Sequence, residues 1–368
     1  MRLLILSVSV GAGHVRAAEA LFEEASSRGE SVRVEHWDVL DFTAPLYRKV
    51  YADGYLRVVN RSPALWGYLY AKADEKTGGE EASGLVKAFD RVHFRKFRDA
   101  VRDFAPDRIV ATHFLPCQVF RPGQEAGRFD VPISLVLTDF DAHRFWVQPT
   151  ADQYFVACEE LAAVLAGRGI SPERIQVTGI PIDRRFREAG DRGAARSRLG
   201  LEGDAPVVLI MGGGFGTGGL VDTARAVLEV EGARAIAVAG RNPELEAALR
   251  ELAIGVEHRL KVRGFVNDVP DLMSASDLIV TKSGGATTSE CLATGLPMLV
   301  RDPTPGQEER NCDYVMEAGA AWKAHGAGSL RYKLKRLLAD PGKLSEMSAA
   351  ARRVGRPEAA AAILDSLI

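Results

Sequence analysis

Residues 276–290 read SDLIVTKSGGATTSE, and this stretch decides the fold. Its short apolar run, 278–281, predicts a buried strand, and the Ser-Gly-Gly that follows predicts a tight turn into a helix. The predicted helix ends at Gly295, just before Pro297. A strand that leads directly into a glycine-bearing helix start is half of a βα unit. The stretch therefore predicts a parallel sheet flanked by helices.

The same alternation of apolar strands and Ala/Leu/Glu-rich helices continues outward in two series. Before residue 190 the predicted strands are 3–10, 32–35, 108–111, 133–137, 154–157 and 175–177. After it they are 207–211, 235–239, 278–281 and 298–300. A polar, glycine-bearing stretch, 190–204, separates the series and is typical of a linker. The predicted fold class is α/β, with two doubly wound Rossmann-like domains that face each other across a cleft.

The length of 368 residues fits two domains. We predict a first domain over 1–190 with an insertion at about 42–105, and a second domain over 204–345. A C-terminal helix over 346–368 is expected to pack back on the first domain. The net charge of −2 argues against a general nucleic-acid coat.

Cysteine usage and hydropathy indicate the compartment. The four cysteines are far apart and form no Cys-x-x-Cys pair, which favours reduced thiols over a disulfide frame or a zinc site. No window of 18 consecutive apolar residues is present to cross a bilayer. We therefore expect a cytoplasmic protein without a bound metal.

The first motif, 9–17 (SVGAGHVRA), ends a strand and begins a helix. Arg16 occupies the third glycine position of the dinucleotide fingerprint, so NAD or FAD binding is poorly supported. His14 lies at the helix start, where the helix dipole favours a neutral imidazole, and a neutral imidazole suits a general base. Alternatively, His14 only forms a hydrogen bond across the turn.

Three further motifs follow strands of the second domain. The glycine-rich stretch 211–219 (MGGGFGTGG) suits close approach to a phosphate, or is simply a flexible loop. In 281–290, the amides of the Gly-Gly helix start suit a diphosphate, and Glu290 suits ribose hydroxyls or is a solvated helix residue. Motif 302–311 (DPTPGQEERN) offers amide and carboxylate groups to a sugar, or complements a helix dipole.

Seven motifs together resemble a known family: 11–18, 138–143, 179–182, 211–219, 264–266, 281–290 and 305–308. The chain resembles the monogalactosyldiacylglycerol synthase and processive diacylglycerol glucosyltransferase family (family 28 glycosyltransferases), which is related to the lipid II-forming GlcNAc transferase. The resemblance implies a GT-B fold. It also implies inverting, metal-independent transfer from UDP-glucose or UDP-galactose to a lipid hydroxyl, with no cofactor.

The resemblance also implies residue roles. His14 is the base, with Asp139 and His143 as rival bases. Val266 clamps uracil by its backbone, Ser283 to Thr287 hold the diphosphate, and Glu290 holds ribose. The donor-binding set implied is Gly214, Phe215, Gly216, Thr217, Phe265, Val266, Ser283, Gly284, Gly285, Ala286, Thr287, Glu290, Gln307 and Glu308. The plant enzymes have Ala-Gly-Pro-Gly-Thr where this chain has Ser-Gly-Gly-Ala-Thr, so the choice of glucose or galactose stays open.

The insertion differs in composition from the rest of the chain. Residues 45–102 hold twelve basic and seven acidic side chains and five of the eight tyrosines. This mixture is typical of a surface that lies in a lipid headgroup layer, although tyrosines at helical spacing also fit a core stripe. The predicted acceptor and membrane set is Gly13, His113, Tyr47, Tyr51, Trp66, Arg91, Arg95 and Lys96.

The expected partners are a UDP-hexose, a lipid acceptor and an anionic membrane surface on the cytoplasmic side, without nucleic acid. Three alternatives remain at this stage. One is UDP-GlcNAc transfer to another lipid-linked or small hydrophobic acceptor. A second is epimerisation or hydrolysis of a UDP-sugar on the same fold. The third is a non-catalytic UDP-sugar sensor that docks on membranes.

Overall fold

Each half of the chain forms a six-stranded parallel sheet. The computed structural model describes residues 1–29, 32–44, 48, 93–188, 192–201, 203–213 and 219–368. Contacts divide the backbone into two units, of which unit 1 is Met1–Arg184 with Glu358–Ile368 and unit 2 is Arg185–Pro357. Most of the predicted insertion at 42–105 lies outside the described residues.

Unit 1 has the strand order β2-β1-β3-β4-β5-β6. Its strands are β1 (Arg2–Ser7), β2 (Arg33–Asp38), β3 (Arg108–Ala111), β4 (Ile133–Val136), β5 (Gln153–Val156) and β6 (Ile175–Val177). Its first four described helices are α1 (Ala12–Ser26), α2 (Arg95–Phe104), α3 (Leu115–Glu125) and α4 (Glu159–Gly167). In β1, which lies between β2 and β3, the side chains of Leu3, Leu4, Ile5 and Leu6 are all fully buried. Both faces of this strand are therefore covered, as a continuous apolar run predicts.

Unit 2 has the strand order β12-β11-β10-β7-β8-β9. Its strands are β7 (Val207–Met211), β8 (Arg234–Val238), β9 (Leu260–Arg263), β10 (Leu278–Thr281), β11 (Met298–Arg301) and β12 (Ala321–Ala324). Its described helices are α5 (Arg192–Arg198), α6 (Leu220–Leu228), α7 (Pro243–Ala253), α8 (Val269–Ala275), α9 (Gly285–Thr294), α10 (Gln307–Glu317), α11 (Gly326–Leu338) and α12 (Pro341–Val354). Its core combines apolar residues of β7, β8 and β10 with those of α6 and α11.

The C-terminal region differs from the single helix predicted over 346–368. The chain forms α12 in unit 2, then breaks at Gly355 and Pro357, and forms a further helix, α13 (Ala359–Leu367), in unit 1. Proline ends a helix because it lacks an N–H donor, so the two helices are separate. Ile363, Leu364 and Leu367 of α13 join the core beside α1.

All four cysteines are buried and free, which agrees with the prediction of reduced thiols. In the described part of the chain, no helix has the length and apolar character needed to cross a bilayer.

The loops that matter for function follow the carboxyl ends of strands. In a parallel sheet these ends lie at one edge, so residues distant in sequence are brought together there. In unit 1 the relevant loops follow β1, β3 and β4. In unit 2 they follow β7, β10 and β11.

Candidate functional site

His14 lies in the first turn of α1, beyond the carboxyl end of β1. Gly11 precedes the helix with φ +117°, a backbone conformation that residues with a Cβ rarely adopt. The Nδ1 atom of His14 is 2.8 Å from the carbonyl oxygen of Thr112 and 2.9 Å from Oγ1 of Thr138. A carbonyl oxygen only accepts, so Nδ1 carries the hydrogen. The lone pair of the neutral ring is therefore on Nε2.

Thr112 fixes the backbone of His14 as well as its ring. The Thr112 hydroxyl is 2.8 Å from the carbonyl oxygen of His14 and 3.3 Å from that of Leu6. Thr112 is fully buried and directly follows β3. The loop after β3 thus sets both the position and the tautomer of the histidine on the loop after β1.

The surroundings of His14 keep its ring neutral. Burial lowers the pKa of His14 from its ordinary value of 6.5 to about 4, and the hydrogen bond to Thr112 partly offsets this effect. Burial, with the neighbouring His14, holds the pKa of His113 well below its usual range. The two rings meet edge to face with centroids 4.8 Å apart. At neutral pH the Nε2 atom of His14 is therefore free of a proton and able to accept one.

The lowered pKa of His14 gives a pH prediction. A base is active in its neutral form, and a pKa of about 4 keeps that form populated well below pH 6.5. We expect kcat/KM for UDP release to stay flat from about pH 7 down to about pH 5, measured as initial rates at low donor concentration. An acid limb centred near pH 6.5 would contradict the burial of the ring.

The two other histidines nearby already accept backbone hydrogen bonds. Nδ1 of buried His113 accepts from the Leu115 amide at 3.1 Å. Nδ1 of buried His143 accepts from the Phe145 amide at 3.3 Å and begins a short helical turn. Asp139 is half-buried on the same loop as His143. The structure gives His14 a defined basic nitrogen, while the rival roles of Asp139 and His143 stay predictions.

In unit 2, side-chain hydrogen bonds join the motifs that follow β10 and β11. The hydroxyl of fully buried Ser283 donates to the carbonyl oxygen of Glu308 at 2.5 Å. The Asn311 side chain donates to the carbonyl oxygen of Ser283 at 2.9 Å, and the Glu308 carboxylate accepts from the Thr304 amide at 2.6 Å. These bonds fix the start of α10, which carries Gln307 and Glu308, against the start of α9.

The start of α9 presents backbone donors. Gly284 precedes the helix and has no side chain to cap it, so the amides of Gly285, Ala286 and Thr287 lack partners within the helix. Such a helix start attracts an anion. Glu290 lies further along α9 and is 7% exposed, so it is not a solvated helix residue. The amides and the carboxylate are arranged on one helix, as the diphosphate and ribose roles require.

Phe265 offers an exposed ring after β9. Its side chain is 46% exposed, and the guanidinium of Arg241 lies 4.4 Å from the ring centroid. Val266, the next residue, is half-buried. A guanidinium that packs on one face of an aromatic ring holds that ring in place. The pair gives a flat surface beside the backbone of Val266, where a base is predicted to bind.

Arg301, at the end of β11, links the end of the glycine-rich stretch to the 302–311 motif. Its Nη1 donates to the carbonyl oxygen of Gly219 and to Oγ1 of Thr223, each at 2.6 Å. Its Nε donates to Asp302 at 3.1 Å. The Arg301 side chain is 11% exposed. One guanidinium thus joins the loops after β7 and β11.

Replacement of Arg301 tests this link. In Arg301→Lys the charge remains, but a single ammonium replaces the planar fork of donors, so we expect the free energy of unfolding to fall by about 1–3 kcal/mol. Urea unfolding measures the change. Arg331→Lys is the matched control, because Arg331 forms an exposed pair with Glu229. An equal loss in both variants would mean that the Arg301 bonds contribute no more than a surface pair.

The remaining predicted residues are placed as follows. Gly13 lies in the first turn of α1, and Arg95 and Lys96 are exposed at the start of α2. Gln307 is the first residue of α10. Eight predicted residues lie outside the described part of the chain: Gly214, Phe215, Gly216, Thr217, Tyr47, Tyr51, Trp66 and Arg91.

Several residues at these sites escape prediction from the sequence. They are Thr112, Trp146, Arg241 and Arg301. Arg301 is the last residue of β11, and each of the others follows a strand. Thr112 and Arg301 share one feature that is visible in the sequence, since each is a polar residue at the carboxyl end of a strand.

Comparison with known proteins gives two family models and a curated relative that match the chain. Residues 14–182 match the family model of monogalactosyldiacylglycerol (MGDG) synthase, and residues 191–354 match that of glycosyl transferases group 1. The processive diacylglycerol beta-glucosyltransferase of Bacillus cytotoxicus is 29% identical over 375 residues, which cover 100% of this chain and 93% of the relative.

Two solved structures share the fold. Acinetobacter baumannii MurG aligns with a TM-score of 0.63 and 17% identity over 99% of this chain and 98% of its own. The S. aureus MnaA-UDP co-structure aligns with a TM-score of 0.68 and 14% identity over 100% of this chain and 95% of its own. These likenesses and the two parallel sheets confirm the predicted GT-B-like α/β fold. One half of the chain therefore matches the MGDG synthase model and the other matches the group 1 glycosyl transferase model, which confirms the predicted family resemblance.

Proposed function

We propose that the protein is an inverting glycosyltransferase that moves a hexose from UDP-glucose or UDP-galactose to diacylglycerol or a similar lipid hydroxyl at a membrane surface. The name of the B. cytotoxicus relative supports the lipid acceptor and the hexose. The MnaA structure, which shares the fold and holds UDP, is consistent with a UDP-linked donor.

The observation that carries the proposal is the hydrogen bond between Nδ1 of His14 and the carbonyl oxygen of Thr112. It leaves a neutral Nε2 as a proton acceptor at the carboxyl edge of the first sheet. A transferase that uses a hydroxyl acceptor needs such a base. A sensor that only binds a nucleotide sugar does not.

The proposed reaction is a single in-line displacement. The acceptor oxygen forms a bond to the anomeric carbon while the bond from that carbon to the diphosphate oxygen breaks, and its electron pair leaves with UDP. The proton of the acceptor hydroxyl passes to Nε2 of His14. One displacement inverts the configuration at the anomeric carbon.

Unit 2 supplies the donor side in this proposal. The amides at the start of α9 donate hydrogen bonds to the leaving diphosphate, on which negative charge develops. Each preorganised donor of this kind stabilises a transition state by about 3 kcal/mol. Glu290 accepts from ribose hydroxyls, and Gln307 with Glu308 contacts the hexose. The Arg241–Phe265 pair and the backbone of Val266 bind uracil.

UDP release tests the proposal. The purified protein is incubated with UDP-glucose, UDP-galactose or UDP-GlcNAc, each with and without vesicles that contain diacylglycerol, and the lipid product is identified. We expect release that depends on diacylglycerol, with one of the two hexoses preferred and a β-linked glycolipid formed. Release without any acceptor would indicate hydrolysis, and binding without release would indicate a sensor.

Two further parts of the proposal have their own assays. Metal independence is tested by the same reaction in EDTA, where we expect an unchanged rate. Membrane association at a cytoplasmic face is proposed from the basic, tyrosine-rich composition of 45–102, of which Arg95 and Lys96 are exposed. We expect cosedimentation with vesicles of anionic lipid that weakens as salt is raised, because salt screens the attraction.

A further inference from the structure

An aromatic surface extends from His14 to the outside of unit 1. The ring of Trp146 lies 5.8 Å from that of His14, and the ring of Phe114 lies 5.7 Å from that of Trp146. Phe145 continues the series at 5.6 Å from Phe114. The four rings thus form a continuous series of contacts. We call the three rings of Phe114, Phe145 and Trp146 the aromatic wall.

Exposure rises along the wall. Trp146 is 3% exposed, Phe114 is half-buried, and Phe145 is 51% exposed. Phe145 is one of few large apolar side chains that are exposed among the described residues. An exposed apolar ring that continues a buried aromatic cluster marks a surface for an apolar ligand more often than an isolated ring does.

We infer that the aromatic wall binds the hydrocarbon part of the acceptor alcohol next to its reacting hydroxyl. This inference rests on the proposed function, since it takes His14 as the base. A hydroxyl within hydrogen-bond reach of Nε2 of His14 lies about 3 Å from that atom. Carbons a few bonds further along the acceptor then reach Trp146 and Phe114, and the chain beyond them reaches Phe145.

The chemistry of the wall favours hydrocarbon as the occupant. Its three side chains offer ring faces, and the one polar group among them is the indole N–H of Trp146. His14 and His113, which border the wall, are kept neutral by burial, so neither of them adds a positive charge there. An alcohol with an apolar group close to its hydroxyl therefore fits better than a free sugar, whose many hydroxyls need hydrogen-bond partners.

Substitution of Phe145 tests the inference by kinetics. In Phe145→Ser we expect KM for 1,2-dioctanoylglycerol to rise about tenfold or more, because the ring no longer covers apolar acceptor surface. We expect kcat to change by less than about twofold and the affinity for UDP to stay the same, since Phe145 lies outside the donor-binding residues. Ile254→Ala, at a residue of unit 2 that is 75% exposed, is the matched control and should leave KM unchanged.

A binding measurement separates this inference from the proposed function. The probe is 11-bromoundecan-1-ol, whose bromine quenches tryptophan fluorescence, and no UDP-sugar is present. The contribution of Trp146 is obtained by subtraction of the signal from Trp146→Phe. We expect saturable quenching of Trp146 that is lost in Phe145→Ser and retained in Ile254→Ala.

The two arms have distinct outcomes. Quenching that depends on Phe145 in a protein without transferase activity would support the aromatic wall and reject the proposed function. Transfer to diacylglycerol with unchanged KM and unchanged quenching in Phe145→Ser would support the function and overturn the wall as the acceptor surface. Quenching that remains in Phe145→Ser overturns the wall whatever the activity.

Discussion

We expect His14→Ala to lower kcat by about a hundredfold or more and to change the Kd of UDP by less than about twofold. The substitution removes the nitrogen that takes the proton from the acceptor hydroxyl, and general bases typically contribute factors of this size. UDP binds to unit 2 in our proposal, whereas His14 belongs to unit 1. Steady-state rates of UDP release and calorimetric titration with UDP measure the two quantities.

A second variant separates chemistry from structure. In His14→Asn the side-chain amide still donates to the carbonyl oxygen of Thr112, but it has no basic nitrogen. We expect it to unfold at nearly the wild-type temperature and to be as slow as His14→Ala. His258→Ala, at an exposed histidine of unit 2, is the control and should be fully active. Turnover near that of the wild type in His14→Asn would reject His14 as the base.

We expect Glu290→Ala to weaken UDP binding by about ten- to a hundredfold. Hydrogen bonds to a charged group contribute about 1.5–3 kcal/mol each, which corresponds to this range. The Glu290 carboxylate is buried on α9, so its hydrogen bonds are made in a medium where they are strong. Calorimetric titration with UDP measures Kd, and titration with uracil alone should show no comparable loss.

Two comparisons make this result specific. Glu290→Gln keeps the shape and one acceptor oxygen, so we expect a loss between those of the wild type and Glu290→Ala. Glu317→Ala removes an exposed carboxylate of α10 and should leave Kd unchanged. Thermal unfolding checks that each variant is folded. An unchanged Kd in folded Glu290→Ala would remove this residue from the donor site.

In the second sheet the sequence predicts the central strands well and does not predict the edge strands. The predictions 207–211 and 278–281 match the bounds of β7 and β10, which are continuous, buried apolar runs. The sequence pattern does not predict β9 and β12, which lie at the two edges of the second sheet. Both contain lysine, and one face of each is partly exposed, so neither forms an apolar run.

The site is predicted only in part, because some of its contacts join residues that are far apart in the sequence. The position of His14 at a helix start follows from local sequence, and so does the Gly-Gly start of α9. The partners of His14 do not, because Thr112 and Thr138 lie 98 and 124 residues further along the chain. The order of strands in the sheet brings these loops together, and that order cannot be predicted from the spacing of residues along the chain. Arg301 escapes prediction in the same way, since its partner Gly219 is 82 residues away.

The return of α13 to unit 1 has a consequence for synthesis on the ribosome. Most of unit 1 emerges before unit 2, yet part of the core of unit 1 comes from Ile363, Leu364 and Leu367. Unit 2 is made entirely between these two pieces, so it has all of its own residues available earlier. Domains fold as units once their residues are present. The half of the protein that is translated first is therefore the half that is completed last.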